Sequence, residues 1–374
     1  MARGRNEQEV RGGVRKPVGE EALGARILPQ ESYAKAGVNL RKVTRIQLSM
    51  GALLEATFPF RAGKIGAPLM PIGHYAGLID IGHGNALTMH TDGVGTKVLV
   101  AQEMGRFDTV GIDCVAMTVN DLICLGSEPV ALLDYVALER ENKELVAELG
   151  KGLVEGARRA AVAIVGGETA ILGDVIKGKA GRGFDLASMG VGTVKRDEVI
   201  DGSAVEEGDA VIGVASSGLH SNGYTLARKA LRRHSLGERV DELGSTLGEA
   251  LLTPTSIYVK SSLEAIRRCE IHGLAHITGG SFSKLARLVG GRRLGFDVTL
   301  PPPPEIFNLL GREGGISERE MYRTFNMGVG LCVCLPESEA GTCARVFKSH
   351  GFPAYHLGSV RRGTGVRVNG LGVS

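Results

Sequence analysis

The run His90-Thr91-Asp92-Gly93-Val94-Gly95-Thr96-Lys97 sets a carboxylate, two glycines and a Thr-Lys pair side by side. Glycines let backbone N–H groups approach an anion closely, Lys97 adds a positive charge and Asp92 could hold a divalent cation, so phosphate is the natural partner. The spacing is not that of a Walker loop. One helix further on, Gly111-Ile112-Asp113 and Val119-Asn120-Asp121 supply two more carboxylates and an amide. On a helical wheel Asp113 and Asn120 stand about 20° apart, with Asp121 about 80° further round. Ionised groups on so apolar a helix need cations, donors or a metal. A metal–phosphate site built from Asp92, Asp113 and Asp121 meets that need; so does an Asp113 cap with Asp121 in water.

Three more glycine turns carry polar residues: Gly166-Gly167-Glu168-Thr169, Ser216-Ser217-Gly218-Leu219-His220-Ser221-Asn222-Gly223 and His276-Ile277-Thr278-Gly279-Gly280. Each follows an apolar run, where glycines mark a tight turn or a close backbone approach. Ser221 or Asn222 is expected to cap the next helix, leaving its N–H groups to face a phosphate. His220 would sit at the mouth of that loop, where an imidazole can move a proton near neutral pH, although a loop histidine is also commonly a plain surface residue.

Periodicity gives the elements that must position these groups. Residues 86–89 read as a strand, 110–125 as a buried helix, 130–138 as a strand, 142–159 as an amphipathic helix and 161–165 as a buried strand running into Gly166. Strands follow over 184–194, 210–215 and 328–335, and helices are expected over 43–56, 224–233 and 282–288. Prolines 301–304 make a stiff connector. The polar stretch 197–208 divides the chain, giving domains over 32–200 and 201–374 after a basic, aperiodic arm over 1–31 that is expected to be mobile. The fold class is α/β (α+β), two domains, each a mixed or antiparallel sheet backed by helices, with the cleft between them.

A chain of 374 residues, 43% hydrophobic and 23% charged, has the make-up of a globular enzyme. Its net charge of +3 is too small to argue for nucleic acid or membrane as partner. No apolar run approaches membrane-spanning length and no signal peptide opens the chain, so a cytoplasmic protein is expected. Six cysteines in a chain this long make no disulfide framework, and Cys332 and Cys334, on one face of a strand, read as packing.

These motifs, in this order, resemble the phosphoribosylformylglycinamidine cyclo-ligase (aminoimidazole ribonucleotide synthetase) family. Beside those quoted, Ser32-Tyr33-Ala34-Lys35-Ala36-Gly37-Val38 and Met321-Tyr322-Arg323-Thr324-Phe325-Asn326 carry the likeness. Two stretches depart from the family pattern: Ile65-Gly66-Ala67-Pro68 replaces a Gly-Gly-Phe-Gly run, and Ile171-Leu172-Gly173 replaces Glu-Met-Pro. The resemblance implies ATP and Mg2+ as cofactors, a small phosphoribosyl substrate, and a homodimer whose N-terminal domains pair in a barrel-like interface. It implies Asp92, Asp113 and Asp121 as metal ligands, and Gly93, Gly95, Thr96, Lys97, Asn120, Gly166, Gly167 and Glu168 around ATP phosphates. Ser221, Asn222, His276, Thr278, Gly279 and Gly280 would meet the substrate, with His220 and Lys97 catalytic. Sister readings are a thiamine-phosphate kinase, a selenophosphate synthetase, which would need an earlier cysteine than Cys114, and a hydrogenase-maturation protein, which would need a C-terminal cysteine. A silent nucleotide-binding subunit is the alternative from outside catalysis.

Overall fold

The computed structural model describes Ser32, Gly37 and residues 40–373; the expected arm over 1–31 and most of the run beginning at Ser32 lie outside the described residues. After the helix α1 (Leu40–Glu55), the first half is a five-stranded sheet of β1 (Gly77–Gly82), β2 (Asn85–Gly93), β3 (Glu128–Leu138), β4 (Ala163–Ile171) and β5 (Phe184–Lys195), in the order β1-β2-β5-β3-β4. Only β3 and β4 run parallel, as the long helical crossover between them permits. The helices α2 (Val98–Met104), α3 (Asp108–Ile123) and α4 (Lys143–Ala160) back this sheet. Asn142 caps α4 by accepting from Leu145 N at 3.0 Å. At the α3–α4 crossing the backbones nearly touch: a Cβ on Gly111 would lie 2.5 Å from Leu149 O, and one on Gly152 would collide with Asp108 O.

In the second half, β6 (Ala210–Ala215) and α5 (Tyr224–Ala230) are followed by the short ribbon β7 (Arg239–Val240) and β8 (Ser245–Thr246), then α6 (Leu247–Leu252) and α7 (Val259–Arg268). The strands β9 (Gly273–His276), β10 (Leu294–Val298), β11 (Val329–Leu335), β12 (Ala354–Arg362), β13 (Val366–Val368) and β14 (Leu371–Gly372) complete a seven-stranded mixed sheet, β14-β13-β10-β12-β6-β11-β9. Its centre is dry: β11 is buried at every residue, Cys332 and Cys334 included. The two mixed, helix-backed sheets are those the periodicity predicts.

Two expectations change. The strand over 161–165 is not buried; β4 is an edge strand, exposed along most of its length, and it continues through Gly166, Gly167 and Glu168 instead of turning there. Helix 224–233 stops at Ala230, and its cap is Gly223 with φ 76°, with no side-chain bond from Ser221 or Asn222.

Candidate active site

Helix α3 is buried from Thr109 to Ile123, and its polar stripe is the seam between the two halves. Asp113 Oδ2 lies 2.7 Å from Lys97 Nζ, with both side chains wholly shielded from solvent. The other carboxylate oxygen accepts from the backbone N of Thr255 at 2.7 Å and from its Oγ1 at 2.6 Å. Lys97 Nζ donates further to the carbonyls of Thr253 at 2.7 Å and His220 at 3.3 Å. A buried ion pair survives only when its remaining lone pairs and protons are satisfied, and here they are. Burial outweighs Asp113 and lowers the Lys97 pKa below its usual 10.5. One expectation changes: Asp113 lies inside the helix and is no cap. Its carboxylate is held by Lys97 and Thr255, and the Lys97 ammonium points into the seam.

Asn120 also bridges the halves: its Nδ2 donates to Ser256 O at 2.8 Å and its Oδ1 accepts from Tyr258 N at 3.0 Å, which fixes the segment leading into α7. Asp121 Oδ1 lies 2.7 Å from His276 Nδ1 and its Oδ2 3.3 Å from His90 Nε2. Burial pushes the Asp121 carboxyl up, but the His276 hydrogen bond and the neighbouring imidazoles win and hold it at about 2. His276, expected on the substrate, is fully buried behind this carboxylate.

His220 is the largest displacement from expectation. It adopts φ +61°, is completely buried, and presents Nε2 to the backbone N–H groups of Ser217 at 3.3 Å and Ser256 at 3.5 Å. A ring nitrogen that accepts carries no proton, so the imidazole is neutral and protonated on Nδ1. Burial, then His276 and Lys97, push its pKa well below 6.5. The expected place of His220 at the mouth of its loop is corrected: the ring is buried, without solvent contact.

The cleft forms where the first and third glycine turns meet. Asp92, Gly93, Gly95 and Thr96 from one half and Ser221, Asn222, Gly223 and Thr225 from the other line a cavity of about 300 Å³, floored by Met117 and Tyr224. Thr96 Oγ1 and Thr225 Oγ1 bridge the halves at 3.1 Å. Asp92 accepts from Gly93 N at 2.7 Å and keeps 38% of its side chain exposed, the freest carboxylate of the three. Gly279 belongs here too, because a Cβ on it would lie 3.2 Å from Asn222 Oδ1, and Gly280 with φ 85° turns the chain beside it. Thr278 is buried just ahead of them and accepts from Ser281 N at 2.7 Å. Six predicted residues, Asp92, Gly93, Gly95, Thr96, Ser221 and Asn222, thus line one cavity. Gly166, Gly167 and Glu168 do not. Gly167 shares a transverse row with Asp92 through Asp134 and Ser188, but three strand spacings, roughly 14 Å, separate them.

Sequence reasoning missed His90, although alternation along β2 sets it on the same face as Asp92. It also missed Thr253 and Thr255, which carry no local signal.

Two mixed sheets joined through the polar stripe of one buried helix, with a glycine turn from each half at the cleft, are the fold of AIR synthase related proteins. The description "AIR synthase related protein, N-terminal domain" matches residues 73–194 and "AIR synthase related protein, C-terminal domain" matches 206–370, together well over half of the chain. The chain belongs to this family. It is 47% identical to a phosphoribosylformylglycinamidine cyclo-ligase from Thermococcus kodakarensis over 91% of this chain and 99% of that one. With the protein of the same name from Methanosarcina barkeri it shares 48% identity over 84% of this chain and 92% of the relative. A crystal structure of thiamine-monophosphate kinase from Stenotrophomonas maltophilia superposes with a TM-score of 0.59 at 20% identity, covering 85% of this chain and 96% of that one, which shows a shared fold.

Proposed function

We propose that this chain closes the imidazole ring of formylglycinamidine ribonucleotide, consuming ATP and releasing 5-aminoimidazole ribonucleotide, ADP and phosphate, a step of purine biosynthesis. The observation that carries this reading is the end-to-end match, 47% identical over 99% of a relative named for that reaction. An amide oxygen is a poor leaving group. Transfer of the γ-phosphoryl group to it makes an iminophosphate, from which the substrate's own amidine nitrogen expels phosphate. Such chemistry asks a protein to align two phosphorylated molecules and neutralise charge. The cleft suits both demands, since Gly93, Gly95 and Thr96 offer backbone and hydroxyl donors to nucleotide phosphates, while Ser221, Asn222 and Gly279 face them from the other half.

Among the described residues no three carboxylate, imidazole or thiol groups gather as a metal site, so a preformed three-aspartate centre does not fit. Mg2+ commonly arrives on substrate phosphates and takes only one or two carboxylates. Asp92 is the carboxylate that can reach such an ion. No step of the reading depends on it.

The reading includes a homodimer. On β3 and β5 the paired residues Leu133 and Met189, with Tyr135 two positions on, are exposed on the sheet face opposite the helices, and Val165 on β4 is 66% exposed. Apolar side chains left open on a sheet face among the described residues suit pairing with a second copy. Six free cysteines suit a reducing, cytoplasmic setting, and no helix among the described residues is long and apolar enough to cross a membrane.

Incubating the purified chain with formylglycinamidine ribonucleotide and Mg-ATP tests the reading, with the aminoimidazole product expected in step with ADP. ATP hydrolysis without that product would favour another family activity, and no ATP turnover at all would favour a silent subunit.

A further inference from the structure

Tyr75, buried at the edge of the first sheet, has two cations against its ring. Lys284 Nζ lies 5.6 Å and Arg287 Cζ 5.3 Å from the ring centroid. The Tyr75 hydroxyl donates to Lys284 O at 3.4 Å, tying the ring to the segment that carries both charges. A single aromatic face offers each cation a modest attraction, and neither Lys284 nor Arg287 has a carboxylate within 4.0 Å among the described residues. Burial lowers the Lys284 pKa; the Asp121 charge opposes this, Arg287 lowers it further, and Asp92 opposes it in turn. His74 packs edge-on to the same ring at 5.4 Å; both its ring nitrogens are buried, and the backbone and carboxylate of Asp201 lie near enough to act on it. Two like charges and a buried imidazole around one ring, with Asp201 facing the imidazole, suit a group with several anionic oxygens. Lys284 and Arg287 lie on the short helix Ser281–Val289, whose N-cap is Gly280, so one element connects this cluster to the glycine turn at the cleft.

We propose that Lys284 and Arg287, held on Tyr75 with His74 beside them, bind a phosphate monoester group. Arg287 supplies a fork that matches two phosphate oxygens, and Lys284 supplies a point charge for a third. Which phosphate this is, that of the phosphoribosyl substrate or one from the nucleotide, rests on the proposed cyclo-ligase reading; the site itself does not.

The test uses the full chain and inorganic phosphate as probe, followed by calorimetric titration and thermal shift, in wild type, Lys284→Met, Arg287→Met and Arg287→Lys. Loss of one charged hydrogen-bonding partner should weaken phosphate binding by about tenfold or more, with Arg287→Lys intermediate. In turnover assays, a raised Michaelis constant for formylglycinamidine ribonucleotide at nearly constant turnover number assigns the site to the substrate. The same change for ATP assigns it to the nucleotide. Unchanged phosphate affinity in the folded variants overturns the proposal, even if the chain proves to be a cyclo-ligase. Weakened phosphate affinity in a chain without cyclo-ligase activity upholds the site and overturns the reading of function. Should Lys284→Met fail to fold, the Arg287 pair decides the matter alone.

Discussion

Lys97 and Asp113 pair where both side chains are wholly shielded from solvent, and each is satisfied further by groups from the other half of the chain. Removing one member strands the other, so Lys97→Met is expected to lower the unfolding free energy by roughly 3–5 kcal/mol. Lys97→Met combined with Asp113→Leu should recover much of that loss, as chemical denaturation would reveal. A similar argument applies to His220. His220→Ala should cost on the order of 2 kcal/mol, because it leaves a cavity and two backbone N–H groups without their acceptor. Turnover per folded molecule should change by less than about tenfold, below the range of a positioned acid–base group. Asp121 adds a pH dependence. Its carboxyl is held at about 2 against an ordinary 3.8, so it contributes stability above pH 4 that is lost as pH falls towards 2. Melting curves of Asp121→Asn should therefore be flatter than wild type across that acid range. At this scale the sequence was legible where chemistry is local. Asp92, its glycines and Thr96 needed only their neighbours, whereas Thr255, which shares Asp113 with Lys97, is 142 positions away.

Among the elements, the crossing of α3 and α4 is the tightest contact, and glycines make it possible. In Gly152→Ala the new methyl would meet the backbone carbonyl of Asp108, which cannot swing aside. Overpacking of this kind costs roughly 1–3 kcal/mol, and a melting scan should show the loss while α4 stays helical by circular dichroism. Periodicity found both helices and the strands β3, β5, β6 and β11 because each buries a regular set of side chains in its own half. It misjudged β4, where Val165 looks like a core residue but stands exposed on a sheet edge. Apolar composition reports that a face is to be covered and does not say by what. The polar stripe of α3 was legible as a stripe, but a buried donor–acceptor seam and a metal site ask for the same residue types.

For the molecule as a whole, the cleft exists only because two sheets are locked across that seam, and the activity proposed needs both. If the open face of the first sheet pairs two copies, Leu133→Glu with Val165→Glu should yield a monomer by light scattering, against a wild-type dimer. The most direct test of the central claim follows the amide oxygen. With formylglycinamidine ribonucleotide carrying oxygen-18 in its formyl group, the phosphate released with ADP should carry the label, one atom for each aminoimidazole formed. Unlabelled phosphate, or ADP formed without the aminoimidazole, would contradict ring closure through a phosphorylated amide.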